Sequence, residues 1–261
     1  MLKKSIWFLL LALVSACSTF DEDFLDRKLK AVYKNGELAS EYFYNKDEKI
    51  VKVIHYKKIE GIPSQENFVI HYSYSNDSVY CNYYNLDESV LKYTRIYSKV
   101  SELKYKIDYI NYLNEKYNNY NYIYYEHPQF GYSKQEKYRL DGTMYAMFVA
   151  EYIDSNGSVR WTSYNYKEGE STDNNPTTSY DYRDSKSFVY SSTYLYPEFE
   201  RQKGNKTKRG HNGYIDTVIE YEYNGSYPVS AIETYTPYKY NSQGEFEPME
   251  DIITNIKYEY Y

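Results

Sequence analysis

Residues 221–227 read Tyr-Glu-Tyr-Asn-Gly-Ser-Tyr, a run in which tyrosine alternates with another residue, stops at an Asn-Gly pair and then resumes. Alternation with period two places Tyr221 and Tyr223 on the same face of an extended strand. The Asn224-Gly225 pair is typical of a two-residue type I′ hairpin, because both residue types tolerate positive φ. This stretch therefore predicts a β-hairpin.

The same tyrosine spacing recurs along the chain, in which 40 of 261 residues are tyrosine. Other pairs two residues apart are Tyr164/Tyr166, Tyr180/Tyr182, Tyr194/Tyr196, Tyr238/Tyr240 and Tyr258/Tyr260. Tyrosine is a good strand former, because its ring packs against neighbouring strands while its hydroxyl stays hydrated. An A/T-rich codon bias would raise the tyrosine content without producing this phase. The period of two predicts an all-β protein.

Polar turns separate the predicted strands at residues 45–48, 75–77, 154–157 and 241–244. Asn or Asp opens such a turn by accepting a backbone N–H, and Asn or Gly then adopts positive φ. Consecutive hairpins form an antiparallel meander. We therefore expect a single domain over residues 28–261, built as a long twisted or curled sheet, with a β-sandwich as the alternative.

One segment fits two kinds of secondary structure. Leu103, Ile107 and Ile110 have helical spacing, whereas Leu103, Tyr105, Ile107 and Tyr109 alternate as in a strand. A strand is favoured, because the surrounding Asn and Tyr residues are weak helix formers and tyrosine is a good strand former.

The N-terminus has the pattern of an export signal. Lys3 and Lys4 precede an uninterrupted apolar run over residues 6–14, which is too short for a membrane span of roughly 20 residues. We therefore expect residues 1–16 to be a signal peptide. Residues 14–17, Val-Ser-Ala-Cys, resemble the lipobox of bacterial lipoproteins. The resemblance implies that Cys17 carries lipid and joins the chain to a membrane, the alternative being an ordinary secretory signal that contains a cysteine.

Residues 17–27 are expected to form a flexible tether. Its Asp-Glu-Asp cluster at 21–23 resembles the acidic tether of Bacteroidetes lipoproteins, which implies a lipid-anchored location on the outer membrane with exposure at the cell surface. The alternative is a solvated linker whose charge has no such meaning. The strand and turn units also resemble the YD-type repeats, aromatic-x-Asn/Asp-x-x-Gly, of Bacteroidetes lipoproteins of unknown function. This resemblance covers residues 28–56, 140–166 and 219–261 and implies no catalytic residues.

Charge and cysteine content exclude several classes of protein. The net charge of −6 disfavours nucleic acid as a partner. With Cys17 lipidated, Cys81 is alone and cannot form an intrachain disulfide, and its alternation with apolar residues predicts a buried thiol. The four histidines are far apart in sequence, so we expect no metal site and no cofactor.

The sequence contains no Gly-x-Ser-x-Gly elbow, P-loop or dinucleotide fingerprint, and we expect a protein that is not an enzyme. Trp161, Tyr164 and Tyr166 are candidate contacts for a glycan or another envelope protein, the alternative being that such rings form cross-strand ladders. The first hypothesis is a non-catalytic binding or accessory lipoprotein that uses a tyrosine-rich sheet face. The second is a surface polysaccharide hydrolase that uses two of the 37 acidic residues.

Overall fold

A computed structural model describes most of the chain after residue 27, in the ranges 28–56, 67–125, 133–166, 176–186, 205–211, 213–225, 227–241, 243 and 246–261. The predicted signal peptide and tether, residues 1–27, lie outside the described residues.

Strands make up nearly all of the regular structure. The first nine are β1 Leu29–Lys34, β2 Glu37–Tyr44, β3 Ile50–His55, β4 Phe68–Tyr74, β5 Ser78–Asn85, β6 Leu91–Ser101, β7 Lys104–Asn111, β8 Asn119–Tyr124 and β9 Lys134–Arg139. The remaining nine are β10 Met144–Tyr152, β11 Val159–Asn165, β12 Thr177–Arg183, β13 Lys206–His211, β14 Tyr214–Asn224, β15 Tyr227–Tyr235, β16 Tyr238–Tyr240, β17 Phe246–Pro248 and β18 Ile252–Tyr260. A short 3-10 helix spans Glu115–Tyr117. The ambiguous segment is strand β7, so the helical alternative is wrong.

Sixteen strands form one closed antiparallel barrel, in which neighbours in the chain are neighbours in the sheet and β1 pairs with β18. The hairpin of β16 and β17 is a separate two-stranded sheet inserted between β15 and β18. The expected all-β antiparallel meander is confirmed, but the expected curled sheet and the alternative sandwich are both wrong. Closure pairs the first strand with the last and so removes the unpaired edges that an open sheet would expose.

The predicted turn chemistry holds at several hairpins. Asn45 Oδ1 accepts the N–H groups of Asp47 and Lys49, both at 3.0 Å, although the positive φ of this turn falls on Glu48 and not on Asn or Gly. Asp154 Oδ1 accepts the N–H of Asn156 at 2.8 Å and the hairpin closes through Gly157 at φ 83°.

The hairpin between β14 and β15 forms one residue later than predicted. Asn224 is the last residue of β14 and pairs with Tyr227, so Gly225, at φ 63°, takes the first loop position. The Asn-Gly type I′ turn is instead Asn35-Gly36, with φ values of 50° and 81°.

One face of the strands is buried and forms the inside of the barrel. Tyr42, Val53 and Cys81 are each 0% exposed, and Tyr97 is 1% exposed. Burial of Cys81 was predicted from its phase and is confirmed, and desolvation raises the pKa of its thiol to about 12. Because these residues alternate with exposed ones, the other face is the outer wall.

The outer wall carries ionisable side chains on most of the barrel strands. Each of the following alternates with, or lies beside, residues of the buried face: Glu41, Lys52, His71, Asp108, Glu136, Glu151, Arg160, Lys208, Glu220 and Lys257. Several form ion pairs with a neighbouring strand or turn, such as Lys52 Nζ to Glu88 in the β5–β6 turn at 2.5 Å and Arg160 on β11 to Glu151 on β10. Charged side chains are therefore distributed around the circumference of the outer wall.

Candidate functional site

The strands alternate in direction, so the hairpins divide between two ends of the barrel. The end that holds Lys28 and Tyr261 also holds the turn between β14 and β15, and Tyr261 N donates to Lys28 O at 2.9 Å. The turn between β7 and β8, the turn between β9 and β10 and the β16–β17 hairpin lie at the opposite end. We call this opposite end the distal end, because it is farthest along the strands from residue 28.

An open groove of about 520 Å³ lies at the distal end between two of these turns. We call it the distal groove. Its lining residues are Glu115, Tyr117, Asn118, Asn119, Arg139, Leu140, Asp141 and Tyr145. The groove thus combines aromatic, amide, acidic and guanidinium groups.

The wall formed by the β7–β8 turn is held by side-chain amides. Asn111 Oδ1 accepts the N–H groups of Leu113 and Asn114, each at 2.9 Å. Asn118 Oδ1 accepts the Asn111 N–H at 2.6 Å, and Asn119 Nδ2 donates to Tyr117 O at 2.8 Å. These bonds leave the Tyr117 ring, 65% exposed, on a braced turn. Because the backbone of this turn is already ordered, binding at the turn would cost little backbone entropy.

The opposite wall is the β9–β10 turn. Gly142 adopts φ 86° and its N–H donates to Arg139 O at 3.0 Å, while Asp141 Oδ1 accepts the Thr143 N–H at 2.8 Å. That hydrogen bond holds the pKa of Asp141 below its ordinary value, so this carboxylate is charged near neutral pH. The Arg139 guanidinium lies 5.8 Å from the Tyr145 ring centre.

This set of groups matches the requirements of a sugar site. An exposed aromatic ring offers a flat apolar face to the C–H side of a pyranose. Amide, carboxylate and guanidinium groups donate to and accept from hydroxyls at fixed angles. A concave surface with a few polar groups around an aromatic ring is a typical small-ligand site.

Four tyrosines cover the outer wall of β8 and β9 below the groove, and we call Tyr120, Tyr122, Tyr124 and Tyr138 the outer tyrosine ladder. The Tyr120 and Tyr138 rings stack across the strands at 5.2 Å, and Lys104 Nζ lies 4.0 Å from the Tyr122 ring centre. Glu136 accepts hydrogen bonds from Tyr124 at 2.7 Å and from Tyr138 at 3.0 Å. These rings are half-buried against one another, which is the cross-strand arrangement weighed as the alternative to a binding face.

The structure does not bring the three predicted aromatic contacts onto one face. Trp161 pairs with Ala150 and has the phase of buried Val159, so it belongs to the inner face. Tyr164 pairs with Met147 and lies on the outer wall. Tyr166 follows β11, and its N–H donates to Tyr145 O at 2.9 Å, next to the distal groove.

The sequence did not single out the groove residues. Their signal was a tyrosine among Asn residues between two predicted strands, a pattern that occurs elsewhere in this chain.

Within the described ranges, no group of three or more His, Cys, Asp or Glu side chains is placed to hold a metal ion. His55 Nδ1 instead lies 2.9 Å from Ser40 Oγ, and His71 Nε2 lies 2.6 Å from Glu88 Oε2. No helix in the described part has the length and apolar character to cross a membrane.

Comparison with known proteins finds likeness only at the level of structure. No family model matches the chain, and no curated protein matches it. A porin-like protein from Bacteroides uniformis ATCC 8492 shares 10% identity over 90% of this chain and 94% of its own, with a TM-score of 0.56. A porin-like protein from Bacteroides vulgatus ATCC 8482 shares 12% identity over 90% of this chain and 99% of its own, with a TM-score of 0.38. At this identity, the first likeness shows that the two chains share the barrel fold.

Proposed function

We propose that this chain is a non-catalytic envelope lipoprotein of the outer membrane, exposed at the cell surface, which binds neutral glycan through the distal groove. The observation that carries the proposal is the exposed Tyr117 ring on a braced turn, in an open groove whose other turn supplies Arg139 and Asp141. Lipid on Cys17 is the proposed attachment to the membrane.

The charged outer wall supports attachment by lipid rather than by the strands. A Lys or Arg side chain facing lipid at the bilayer midplane costs about 2–4 kcal/mol. Lys52, Arg160, Lys208 and Lys257 are all on the outer wall, together with acidic residues. A barrel with this wall is stable in water, and a lipid at its N-terminus suffices to hold it at a membrane.

The position of the groove supports a role in contact with material outside the membrane. Residue 28, where the tether joins the barrel, lies at the end opposite to the distal groove. A barrel held at residue 28 would therefore present the groove away from the lipid.

The hydrolase alternative gains no support from the groove. A glycosidase needs one carboxyl group with a raised pKa to act as general acid. The groove contains Glu115 and Asp141, and the pKa of Asp141 is lowered.

A glycan array followed by calorimetric titration of the best neutral oligosaccharide tests the proposal. We expect saturable binding, and we expect Tyr117→Ala to weaken it by about 1–2 kcal/mol, or about five- to thirtyfold. Tyr112→Ala is the matched control: it lies on the same turn, is 52% exposed and does not line the groove, so it should bind as the wild type does.

Two results would contradict the proposal. A glycan array with no signal above background would rule out glycan as the ligand of the distal groove. Recovery of an envelope protein by the wild type but not by Tyr117→Ala, without any glycan signal, would show that the groove serves a protein instead.

A further inference from the structure

A second concave site lies inside the barrel, on the side formed by β12 to β15, β18 and β1. It is a cavity of about 230 Å³, and we call it the inner cavity. Among its lining residues are four cationic side chains, Lys34, Arg183, Lys206 and Arg209, and one acidic side chain, Glu233. This contrasts with the inner face of β2 to β5, where Tyr42, Val53 and Cys81 form an apolar core.

An irregularity in strand pairing places two of these cations side by side. Tyr182 pairs with Lys208, but the next residue of β12, Arg183, pairs with Lys206. The extra residue on β13 is a β-bulge, which changes the face on which the following side chains lie. Lys208 therefore stands on the outer wall, while Lys206 and Arg209 both line the inner cavity.

The acids near the cavity are engaged by these cations or by neighbouring groups. Asp181 Oδ2 lies 2.8 Å from Lys206 Nζ, and Asp181 Oδ1 lies 3.7 Å from Arg209 Nε. Asp184 accepts the Asn205 N–H at 2.8 Å and a hydrogen bond from Tyr223.

Four cationic side chains and Glu233 line the cavity, so a net positive charge remains among these described residues even when Asp181 and Asp184 are included. Arg183 is only 7% exposed. Burial lowers the pKa of Arg183 and that of Lys206, even though Asp181 acts in the opposite direction on both. Two cations held away from water are stabilised when an anion enters beside them.

The rest of the lining is apolar and aromatic. Ile219, Tyr221, Ile256 and Tyr258 complete the wall next to the cations. Carbon atoms of a small organic ligand could pack on these side chains while a charged group meets the guanidinium and ammonium groups. A planar guanidinium matches the two oxygens of a carboxylate, sulfate or phosphate group.

We propose that the inner cavity binds the oxyanion group, carboxylate, sulfate or phosphate, of a solute no larger than a monosaccharide. The volume is below the range of about 300–1,000 Å³ that is typical of sites for drug-sized ligands, which sets the size limit. This site is separate from the distal groove, and binding here does not depend on the groove.

Calorimetric titration of the purified mature chain with sodium sulfate, sodium phosphate and sodium glucuronate tests this proposal, with sodium chloride at equal ionic strength as the blank. We expect saturable one-to-one binding of at least one of the three salts. Binding of glucuronate alone would identify an organic carboxylate, and binding of sulfate or phosphate would identify a free inorganic oxyanion. Either result supports the site.

Lys206→Gln and Lys208→Gln form a matched pair from one strand. Loss of one charge-assisted hydrogen bond should weaken binding in Lys206→Gln by about ten- to a hundredfold, whereas Lys208→Gln should bind as the wild type does. Circular dichroism and a thermal melt establish that each variant is folded. Arg183→Lys, which keeps the charge but removes the planar fork, is a second variant and should weaken binding less than Lys206→Gln does.

The proposal is overturned if none of the three salts binds above the chloride blank. Equal weakening in Lys206→Gln and Lys208→Gln would also overturn it, because the effect would then follow net charge and not the cavity. Neither result would bear on glycan binding at the distal groove, where Tyr117→Ala is the diagnostic variant.

Discussion

Tyrosine explains much of this barrel at the scale of single residues, because one side chain supplies both an apolar ring and a hydrogen-bond donor. Tyr44 OH donates to Leu29 O at 2.9 Å, Tyr74 OH to Ile50 O at 2.8 Å, and Tyr260 OH to Pro228 O at 2.7 Å. The rings of these three tyrosines pack against the buried core while their hydroxyls reach backbone carbonyls. A buried hydroxyl needs such a partner, since an unpaired one costs about 1–3 kcal/mol.

Arg95 shows how tyrosine also accommodates a cation on the inner face. Its guanidinium carbon lies 5.0 Å from the ring centre of Tyr83, 5.5 Å from that of Tyr93 and 5.2 Å from that of Tyr109. We expect Arg95→Ala to lower the free energy of unfolding by about 2 kcal/mol or more, because desolvated cation–π contacts and ring packing are lost. Urea denaturation measures the change.

Arg160→Ala is the matched control for Arg95→Ala. Arg160 lies on the outer wall and pairs with Glu151, and both side chains are about half exposed. Removal of such a surface ion pair should change the free energy of unfolding by less than about 0.5 kcal/mol. Equal effects of the two substitutions would contradict a stabilising role of the three tyrosine rings.

At the scale of elements, the hairpin turns set which residues face each other across the strands. Asn35 and Gly36 join β1 to β2 with positive φ at both positions, which matches the twist of the two strands. Lys34 and Glu37 pair directly on either side of the turn. The pairing then shifts by one residue between Val32 and Tyr33, and this bulge places Tyr42 on the inner face.

Gly36→Ala tests the contribution of this turn. A Cβ at position 36 would meet no atom within 4 Å, so its cost is conformational and not steric. We expect a loss of about 1–2 kcal/mol in the free energy of unfolding, because an L-residue other than Asn or Asp is strained at positive φ, whereas achiral Gly is not. Gly36→Asn is the control and should lose less, since Asn adopts this conformation readily. Identical melting curves for the three proteins would show that the turn contributes nothing.

At the scale of the whole molecule, closure of the barrel by β1 and β18 brings the two ends of the described chain together. Five residues of β1 pair with β18, from Leu29 opposite Tyr260 to Lys34 opposite Ile256. Closure also separates a buried inner face from a charged outer wall. Under the proposed function, the N-terminal segment and not the wall would attach the chain to a membrane.

Fractionation of cells that produce the Cys17→Ser chain tests this separation of roles. We expect the wild type to sediment with membranes and Cys17→Ser to remain in the aqueous fraction without detergent, because the wall carries charges on most strands. If the Cys17→Ser chain instead sediments with membranes and is released only by detergent, the wall itself enters the bilayer.

Local physical chemistry accounts for the parts that were predictable from the sequence. The period of two places Cys81 and Tyr83 together on the buried face, and both are buried. Asn45 and Asp154 open turns because their side chains bond to backbone groups within four residues. The all-β antiparallel meander follows from such short-range rules. The predicted lipid on Cys17 stays a prediction.

Long-range strand pairing accounts for the features that the sequence did not predict. No local pattern states that Leu29 meets Tyr260, and an open sheet and a closed barrel have the same strands and turns. The distal groove joins Tyr117 to Arg139 across two hairpins. The inner cavity depends on one bulge that turns Lys206 inwards, and alternation alone would have placed Lys206 beside Lys208 on the outer wall. Strand identity is decided by neighbours in sequence, whereas closure and both concave sites depend on residues that meet only in the folded chain.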